Sequence, residues 1–558
     1  MTVFADIVDT LLLQRGVSDA DKDSFLNPDF VRDTHDPFLL EGMHKAVDRI
    51  LVALGAGERI AVYADFDCDG IPGAVVMHDF FKKVGHTAFE VYIPHRHTYG
   101  HGFHKAAIDD LKERGVSLII TIDVGVTAVE TAAYAKEKGI DVIITDHHEP
   151  PDILPEAVAV INPKLGTYPF RDLCGAAVGF KVVQAVLAEG GKQGVAACVA
   201  VPEGWEKWLL DMVGIATVAD MVPLVGENRA LARFGLFVLR KSPRLGIHAL
   251  CRKARLDQRR ITEDDIGFSF APRINASSRM DCPELAFQLL ATSDPAEAEN
   301  LAAQLEKLNA QRKGVVASLV KEVRKIALER YPTGDVVILG NPEWKPALLG
   351  LAANSVVEDR GGIVCLWGRD GSGALKGSCR SDGSINVVEM FKVAQGAGTL
   401  EESGGHACAG GFSMSSEQVH RVSELLGSAA EQVRGNAIPV DPQFDAEITV
   451  GDISAKLLDA LALLAPFGIA NPKPVFRTTA DIRAVKVFGK EGNHTEVMVG
   501  LENVTVRAFE FFKTPDNFTV PPRVGERQHI LVTVEKDSFR GPRAVALRIV
   551  DVLPFVSH

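Results

Sequence analysis

The chain has 558 residues, 46% hydrophobic and 24% charged, which excludes a disordered chain and predicts three or four folded domains. Its formal net charge of -13 excludes a protein that coats nucleic acid through bulk positive charge, although a local basic groove is enough for binding. No signal peptide or membrane-length apolar run is present, so we expect a cytoplasmic protein with no membrane association. The eight cysteines are scattered, which predicts reduced thiols in the core.

Between residues 59 and 219, short apolar runs alternate with stretches of helical spacing. The runs are RIAVYA at 59–64, AFEVYIP at 88–94, SLIITI at 117–122 and DVIIT at 141–145. Buried runs that alternate with helices are typical of a parallel sheet covered on both faces. The first part of the chain is therefore predicted to be an α/β domain.

A long helix is predicted next, because Ser293-Asp294-Pro295 combines capping residues with a proline suited to a first helical turn. The following residues reach Tyr331 with Gly314 as the one break, and their leucines form an apolar stripe. We interpret this helix as a connector between two domains. After it, the runs DVVILG, GGIVCLW and GALKGSCRS, a glycine cluster at 403–411 and a helix near 415–433 predict a smaller α/β domain.

The last segment, from about residue 439, has a different sequence pattern. Five apolar runs separated by turns or polar loops indicate a small closed β-barrel. Between residues 471 and 550 there are 13 Lys and Arg against 9 Asp and Glu, a net of +4 in a chain whose total is -13. Positive charge is thus concentrated in this segment, as in barrels that bind single-stranded nucleic acid.

An acidic motif, Asp65-Phe66-Asp67-Cys68-Asp69-Gly70, follows directly on the first predicted strand. A turn permitted by Gly70 would let these carboxylates converge on hard cations. The alternative is an EF-hand calcium loop, whose pattern also begins DxDxDG. That loop needs a glutamate at its twelfth position, where this chain has Val76, and a helix before the motif rather than a strand.

Two further strands end in potential ligands: Asp123 follows SLIITI, and Asp146-His147-His148 follows DVIIT. A lone Asp after a strand is usually a helix cap, but the carboxyl ends of parallel strands meet at one edge of a sheet, where ligands bind. Oxygen ligands with one or two imidazoles suit Mn²⁺ or Mg²⁺ better than zinc. We therefore expect two divalent cations, Mn²⁺ or Mg²⁺, an arrangement that serves phosphodiester hydrolysis.

These motifs resemble the DHH phosphoesterase superfamily. DFDCDG, the ITIDVG around Asp123, the DHH triplet at 146–148 and the ATVADMVPL around Asp220 look like its four ordered motifs. PRINASSR, GSCRS, GGHACAGG and LAPFGIANPKPVF extend the resemblance to the bacterial exonucleases of this superfamily. The stretch HTYGHGF after Arg96 departs from them in being richer in histidine, and PRINASSR in its serines.

The resemblance implies a set of metal ligands. Asp65, Asp67 and Asp123 would surround one cation, and Asp69, Asp123, His147 and Asp220 the other, with Asp123 as the bridge. His148 would contact the phosphate or protonate the leaving oxygen, and Asp146 would orient the neighbouring imidazole. Asp220 rests on the resemblance more than the others, since alone it would be an ordinary helix-end residue.

The resemblance also implies a site for a terminal phosphate, formed by Arg96, Arg279, Ser378 and Arg380. Arginine suits this role because its planar fork donates two hydrogen bonds to phosphate oxygens, although each arginine alone would more often be a surface ion-pair partner. His406, presented by Gly404 and Gly405 of the smaller α/β domain, would reach the nucleic-acid strand, with a structural turn as the alternative.

The implied fold is a parallel-sheet DHH domain, a long connecting helix, a smaller α/β DHH-associated domain and a C-terminal OB-type β-barrel. The expected ranges are 1–42 for an N-terminal segment packed on the DHH domain, 43–290, 291–330, 331–437 and 438–558. The implied function is 5′ to 3′ exonuclease digestion of single-stranded DNA to mononucleotides in repair and recombination, by a monomer with a single-strand-binding protein and a helicase as partners. Two alternatives stay open: hydrolysis of short oligonucleotides or cyclic dinucleotides, and non-catalytic binding of single strands in replication.

Overall fold

The structure is a computed structural model and describes residues 4–280, 282–332, 334–434, 444–537, 540–541 and 543–555. The chain divides into two compact units. One comprises Asp36–Asp220 and Gly235–Ile438, and the other comprises Met1–His35, Met221–Phe234 and Pro439–His558.

Helices and strands of the described residues are numbered here along the chain. The helices are α1 Ala5–Gln14, α2 Lys22–Leu26, α3 Phe30–Asp33, α4 Met43–Ala56, α5 Gly70–Lys83, α6 Arg96–Tyr99, α7 Lys105–Glu113, α8 Val129–Glu137, α9 Gly175–Lys192, α10 Ala196–Val199, α11 Leu210–Ala219, α12 Gly226–Leu239, α13 Leu245–Ala254, α14 Glu263–Asp265, α15 Ala271–Arg279, α16 Glu284–Ala291, α17 Pro295–Arg330, α18 Pro346–Arg360, α19 Val387–Gly396, α20 Val422–Val433 and α21 Ala455–Leu461. The strands are β1 Ile60–Ala64, β2 Phe89–Tyr92, β3 Leu118–Ile122, β4 Asp141–Thr145, β5 Ala159–Ile161, β6 Val336–Gly340, β7 Ile363–Arg369, β8 Leu375–Ser381, β9 Glu402–His406, β10 Ala409–Met414, β11 Ala446–Glu447, β12 Phe476–Phe488, β13 His494–Leu501, β14 Val504–Glu510, β15 Arg527–Lys536 and β16 Val545–Pro554.

The first sheet is parallel throughout, with the strand order β2-β1-β3-β4-β5. Its central strands β1 and β3 are buried at every residue, as their unbroken apolar runs predict. Helices α7 and α8 contribute to the core on one face, while α5 and α9 contact β1 and β3. The predicted α/β domain is confirmed, and it directs the carboxyl ends of β1, β3 and β4 to one edge.

The predicted connector is helix α17, which begins at Pro295 with Asp294 as its cap. The Asp294 side chain accepts a hydrogen bond from the Glu297 amide, which satisfies one of the unpaired donors of the first turn. The first half of α17 packs on α13, α15 and α16, and its second half packs on α18. No helix among the described residues has the length and apolar character needed to cross a membrane.

The second sheet is mixed, with the order β6-β7-β8-β10-β9; β6 and β7 are parallel and the remaining pairs antiparallel. One face is covered by α19 and α20, and the other by α17 and α18. Cys365 and Cys379 lie opposite each other on β7 and β8 and form a disulfide, so the prediction of reduced thiols is wrong for this pair. The two cysteines are 14 residues apart in the sequence, and only the register of β7 against β8 brings them together.

The C-terminal segment forms the predicted closed barrel. Its strands pair in the order β12-β13-β14-β16-β15, and the pairing of β12 with β15 closes the ring. Inward side chains such as Phe476, Ile482, Val499 and Val532 are buried in one core. This is the five-stranded arrangement of an OB-type fold.

The N-terminal helices contribute side chains to this barrel core. Val8, Leu11, Leu12 and Phe25 share one buried cluster with barrel residues. Arg229 is buried in the same unit and donates hydrogen bonds of 2.8 Å to the carbonyl oxygens of Phe25 and Leu464. Described residues 4–35 thus belong to the unit that contains the barrel, and the packing of residues 1–42 on the first domain stays a prediction.

Candidate metal centre

The acidic motif occupies the turn between β1 and α5. The Asp67 side chain accepts a hydrogen bond of 2.8 Å from the Asp69 amide, which closes the turn locally. A side chain at Gly70 would overlap the Asp65 backbone, so the turn requires glycine there. Asp65 and Asp69 are buried as a result, although charged side chains are rarely buried without a partner.

Asp69 points at the beginning of α9, which lies much later in the sequence. Its carboxylate accepts hydrogen bonds of 2.6 Å and 2.7 Å from the Gly175 and Ala176 amides. Unpaired amides at a helix N-terminus favour negative charge, so this contact holds Asp69 in place. A Cβ at Gly175 would lie 2.5 Å from that of Asp123, so the absence of a side chain at Gly175 also makes room for the proposed bridge.

Asp123 follows β3 in the left-handed conformation, with φ 63°, which Asp tolerates better than most residues. Asp146 follows β4, and its carboxylate accepts hydrogen bonds of 2.7 Å from the His147 amide and 2.8 Å from the His148 ring nitrogen Nδ1. Burial alone would raise the pKa of Asp146, but the hydrogen bond and charge of His148 lower it to about 2. Asp146 therefore stays ionised and fixes the His148 ring.

The His147 ring brings the carboxylates of three segments together. Its Nε2 lies 3.1 Å from Asp123 Oδ1, 3.6 Å from Asp220 Oδ2 and 3.7 Å from Asp69 Oδ2. Potential ligand atoms of Asp65, Asp67 and Asp123 form a second group in which all lie within 4.8 Å of one another. The structure thus brings together the six residues suggested as metal ligands, with Asp123 adjoining both groups.

The electrostatics of this cluster fit divalent cations. Burial and mutual repulsion raise the pKa of Asp123 well above its usual range and that of Asp220 to about 9. Burial lowers the pKa of His147 to about 4, which keeps its imidazole neutral and able to coordinate. Asp65 Oδ1 and Asp123 Oδ1 are buried and accept no aligned hydrogen bond from the described residues. A cation at each group would satisfy oxygens that otherwise repel each other.

Beside this cluster, the structure brings Arg96 and Arg279 together. The Arg96 guanidinium stacks on the Phe66 ring, 4.7 Å from its centre. Burial, reinforced by the charges of Arg96, Arg312 and Arg380, lowers the pKa of Arg279 to about 9. Like charges held this close in a buried place would be stabilised by an anion, and phosphate is the anion that arginine binds best.

Ser378 and Arg380 are alternate residues of β8, so both side chains are on the face of the strand turned away from the α19–α20 core. The absence of a side chain at Gly350 in α18 leaves room for the Arg380 guanidinium. His406 is exposed on β9 and stands in the same cross-strand row as Arg380, with Ala409 between them. Three of the residues suggested for nucleic acid, Ser378, Arg380 and His406, are therefore on one face of the second sheet.

Sequence reasoning missed three contributors. Gly175 carried no local signal, because its role depends on contacts with distant residues. Arg312, from α17, adds to the positive charge around Arg279. His101 Nδ1 lies 3.1 Å from Asp65 Oδ1, and the unusual number of histidines in HTYGHGF was the signal that could have found it.

Comparison with known proteins identifies the same three domains. Models of the DHH family N-terminal domain, the DHHA1 domain and the RecJ OB domain match residues 59–214, 333–432 and 444–551. The sheet with its acidic edge is therefore that of a DHH-family protein, as the DHH motifs predicted.

Curated relatives narrow this class. The single-stranded-DNA-specific exonuclease RecJ of Escherichia coli is 31% identical over 82% of this chain and 81% of its own length, and that of Salmonella typhimurium is 31% identical over 92% and 91%. The RecJ of Bacillus subtilis is 34% identical, but the chain spans only 63% of its length. The crystal structure of RecJ from Thermus thermophilus in complex with Mn²⁺ has a TM-score of 0.79 and 26% identity, over 99% of this chain and 76% of that one. The chain belongs to the RecJ family of single-stranded-DNA-specific exonucleases.

Proposed function

We propose that the chain is a metal-dependent exonuclease that degrades single-stranded DNA from 5′ to 3′ and releases mononucleotides, in repair and recombination. The observation that carries this proposal is the meeting of two ligand groups at Asp123, on the sheet edge next to the arginines. Family membership and the Mn²⁺ complex of the related protein support the metal-dependent exonuclease activity. The direction of digestion rests on the family resemblance.

In this proposal Asp65, Asp67 and Asp123 hold one cation, and Asp69, Asp123, His147 and Asp220 hold the other. When bound, such a pair of cations would neutralise the phosphodiester and lower the pKa of a bound water at neutral pH. Asp123 would contribute to both ligand sets, because its carboxylate adjoins both groups. The Asp69 contact with α9 fixes one side of the centre, so that the ligands need little rearrangement when the cations bind.

His148 is placed to act on the substrate. Its side chain is 46% exposed, and Asp146 holds Nδ1 at 2.8 Å, which leaves the other ring nitrogen free of that contact. We propose that this nitrogen contacts the scissile phosphate and gives a proton to the departing oxygen. Asp146 acts through His148 by fixing its orientation, as a carboxylate does for a ring that must present one nitrogen.

The terminal phosphate of the strand would be bound by Arg96, Arg279, Ser378 and Arg380, with His406 contacting the strand beyond it. A pocket that recognises the end of the chain next to the metal centre would limit each cut to the terminal nucleotide. The charges of its arginines match the two negative charges that a terminal phosphate carries near neutral pH. A blocked or internal site lacks this second charge, which favours digestion from an end.

A single strand also requires a surface on which its bases can stack, and the barrel supplies this surface. Arg548 stacks on Phe511, 5.0 Å from the ring centre, and Arg507 stacks on Phe509 at 4.8 Å. Phe512 is 78% exposed. Aromatic rings beside arginine are the groups on which bases stack in barrels that bind single strands.

We propose domain ranges of 43–290, 291–330, 331–437 and 438–558, with residues 4–35 assigned to the unit that contains the barrel. We also propose that the protein acts as a monomer in the cytoplasm, with a single-strand-binding protein and a helicase as accompanying partners. A helicase would supply the single strands that this enzyme consumes.

The decisive experiment uses DNA of about 50 nucleotides, labelled separately at its 5′ and 3′ ends, in single- and double-stranded form, with Mn²⁺, Mg²⁺ or EDTA. The proposal expects immediate release of the 5′ label as a mononucleotide from single strands, late loss of the 3′ label and no release in EDTA. Cleavage of dinucleotides or cyclic dinucleotides in preference to long strands would favour a short-oligonucleotide phosphodiesterase. Binding of single strands without release under any metal would favour a non-catalytic binder.

A further inference from the structure

The segment between β2 and α7 contains a group of histidines that the proposed mechanism does not use. Residues 95–104 of this segment are called the histidine loop here. It contains α6 and has histidines at positions 95, 97, 101 and 104. Two of these rings contact the two halves of the proposed site.

One contact is made with the metal ligands. His101 Nδ1 lies 3.1 Å from Asp65 Oδ1, an oxygen that accepts no aligned hydrogen bond from the described residues. The His101 ring lies 5.1 Å from that of His148, measured between their centres. His101 is thus in a position to limit the movement of Asp65, whose side chain is only 3% exposed.

The other contact is made with the arginine pocket. His97 Nε2 lies 3.0 Å from the carbonyl oxygen of Arg279, the last residue of α15. Carbonyl groups at a helix C-terminus have no partner within the helix, so the His97 ring satisfies one of them. The carbonyl oxygen of His97 in turn accepts a hydrogen bond of 3.2 Å from the Gly371 amide, between β7 and β8.

The loop itself is anchored to the sheet. The hydroxyl of Tyr63, a buried residue of β1, donates a hydrogen bond of 2.9 Å to the Gly102 carbonyl. Gly100 and Gly102 adopt φ values of 77° and 135°, which side chains disfavour, so the backbone path between them depends on glycine. A loop anchored in this way holds the rings of His97 and His101 in defined positions.

We propose that the histidine loop is a positioning element, in which His101 holds Asp65 for cation binding and His97 holds Arg279 for the terminal phosphate. This inference rests on the proposed function. Because one anchored loop contacts both halves, it fixes the separation between the metal centre and the pocket for the strand end. That separation determines which phosphodiester bond is cut.

The metal half is tested by Mn²⁺ binding to metal-free full-length protein, measured by isothermal titration calorimetry without DNA. His101→Ala should weaken binding by about tenfold, the usual cost of losing a residue that orients a ligand. His101→Asn places an amide nitrogen near the Nδ1 position and should recover most of the affinity. His95→Ala is the matched control, because the His95 ring contacts Glu284 at 3.4 Å, away from the metal ligands, and its Mn²⁺ affinity should equal that of the wild type.

The phosphate half is tested by the ratio of kcat/KM for 5′-phosphorylated and 5′-hydroxyl single strands. His97→Ala should lower this ratio by about tenfold, as expected when a hydrogen bond that holds the backbone of a phosphate-binding residue in place is lost. His97→Gln, whose amide nitrogen can replace Nε2, should restore it. Mn²⁺ affinity should be unchanged in both His97 variants.

The two halves should therefore respond separately. Wild-type Mn²⁺ affinity in His101→Ala, a wild-type phosphate ratio in His97→Ala, or failure of both conservative variants to restore the affected property would overturn the inference. If an alanine variant fails to fold, the test uses the conservative variant, His101→Asn or His97→Gln. Loss of the measured property in that variant also overturns the inference. Failure of the proposed function is distinguishable, because wild-type protein would then bind Mn²⁺ without digesting single strands.

Discussion

Asp220→Asn should stabilise the metal-free protein and destabilise its metal complex relative to the wild type. Asp220 follows the last residue of α11, where the helix dipole disfavours negative charge, and its Oδ2 lies 3.6 Å from His147 Nε2. Burial and the charges of Asp69 and Asp67 raise the pKa of Asp220 to about 9. The folded metal-free protein must therefore keep this carboxyl protonated at pH 7, whereas the unfolded chain releases the proton.

The size and sign of the effect follow from linkage. A carboxyl with an unfolded pKa of about 3.9 loses ~1.4 kcal/mol per pH unit above that value when the folded state retains the proton. At pH 7 the cost approaches ~4 kcal/mol, and at pH 5 it is ~1.5 kcal/mol, both upper limits because the side chain is partly solvated. Since the folded pKa is raised, stability falls as pH rises from about 4 to about 9, and asparagine removes this fall.

Thermal melts in EDTA and in Mn²⁺, at pH 5 and pH 7, measure this effect. In EDTA at pH 7 the variant should melt up to ~5 °C above the wild type, with a smaller gain at pH 5. Mn²⁺ at a thousand times Kd should reverse the order, since the wild type then gains ~4.1 kcal/mol, which offsets even the upper limit of ~4 kcal/mol, and the variant has lost a charged ligand.

Asp211→Asn, in the same helix, is the matched control for these melts. The Asp211 carboxylate lies 2.8 Å from Arg244 Nε and is 2% exposed, so its replacement should destabilise the protein with or without metal. A variant at Asp220 that melts at or below the wild type in EDTA at pH 7 would refute the reasoning.

Three other substitutions test the site. Asp123→Ala should lower turnover by at least about 10³-fold, since the bridge between the cations is lost, while single-strand affinity at equilibrium stays within about threefold; full activity would remove Asp123 from the bridging position. Arg279→Ala should reduce the preference for a 5′-phosphate by about 10- to 100-fold in competition digests, and an unchanged preference would exclude it from the pocket. Gly175→Ala should lower turnover by about 10²-fold, because the new methyl group would meet the Asp123 Cβ at 2.5 Å, whereas Gly191→Ala in the same helix meets open space and should leave turnover unchanged. Equal behaviour of the two glycine variants would contradict the close approach.

The sheet edge was predictable because its evidence is local. Apolar runs specified the buried strands, and the rule that parallel strands share a carboxyl edge placed the residues after β1, β3 and β4 near each other. The structure places Asp65, Asp123 and Asp146 there. Asp220 had no such signal, since it follows a helix, and only the family motif suggested it.

Contacts between distant parts of the chain were not predictable in the same way. Asp69 depends on amides 106 and 107 residues further along, and neither Gly175 nor Ala176 differs in sequence from an ordinary helix start. The same reason explains why the contribution of residues 4–35 to the barrel core was not predicted, since their apolar stripe is equally compatible with either unit. Periodicity encodes that a face is buried, whereas the identity of the covering surface depends on shape and register that emerge only when the whole unit folds.

The metal ligands were therefore easier to infer from the sequence than the residues that hold those ligands in place. A carboxylate that coordinates a cation must be Asp or Glu, so the requirement is visible in composition. A residue that holds it in place needs only a donor, such as the Gly175 amide, or an absent side chain. The histidine loop is intermediate: its rings have the chemistry of ligands, but their contacts, with Asp65 Oδ1 and the Arg279 carbonyl, are those of supports. Histidine density near a metal motif therefore predicts proximity, and only distances separate coordination from positioning.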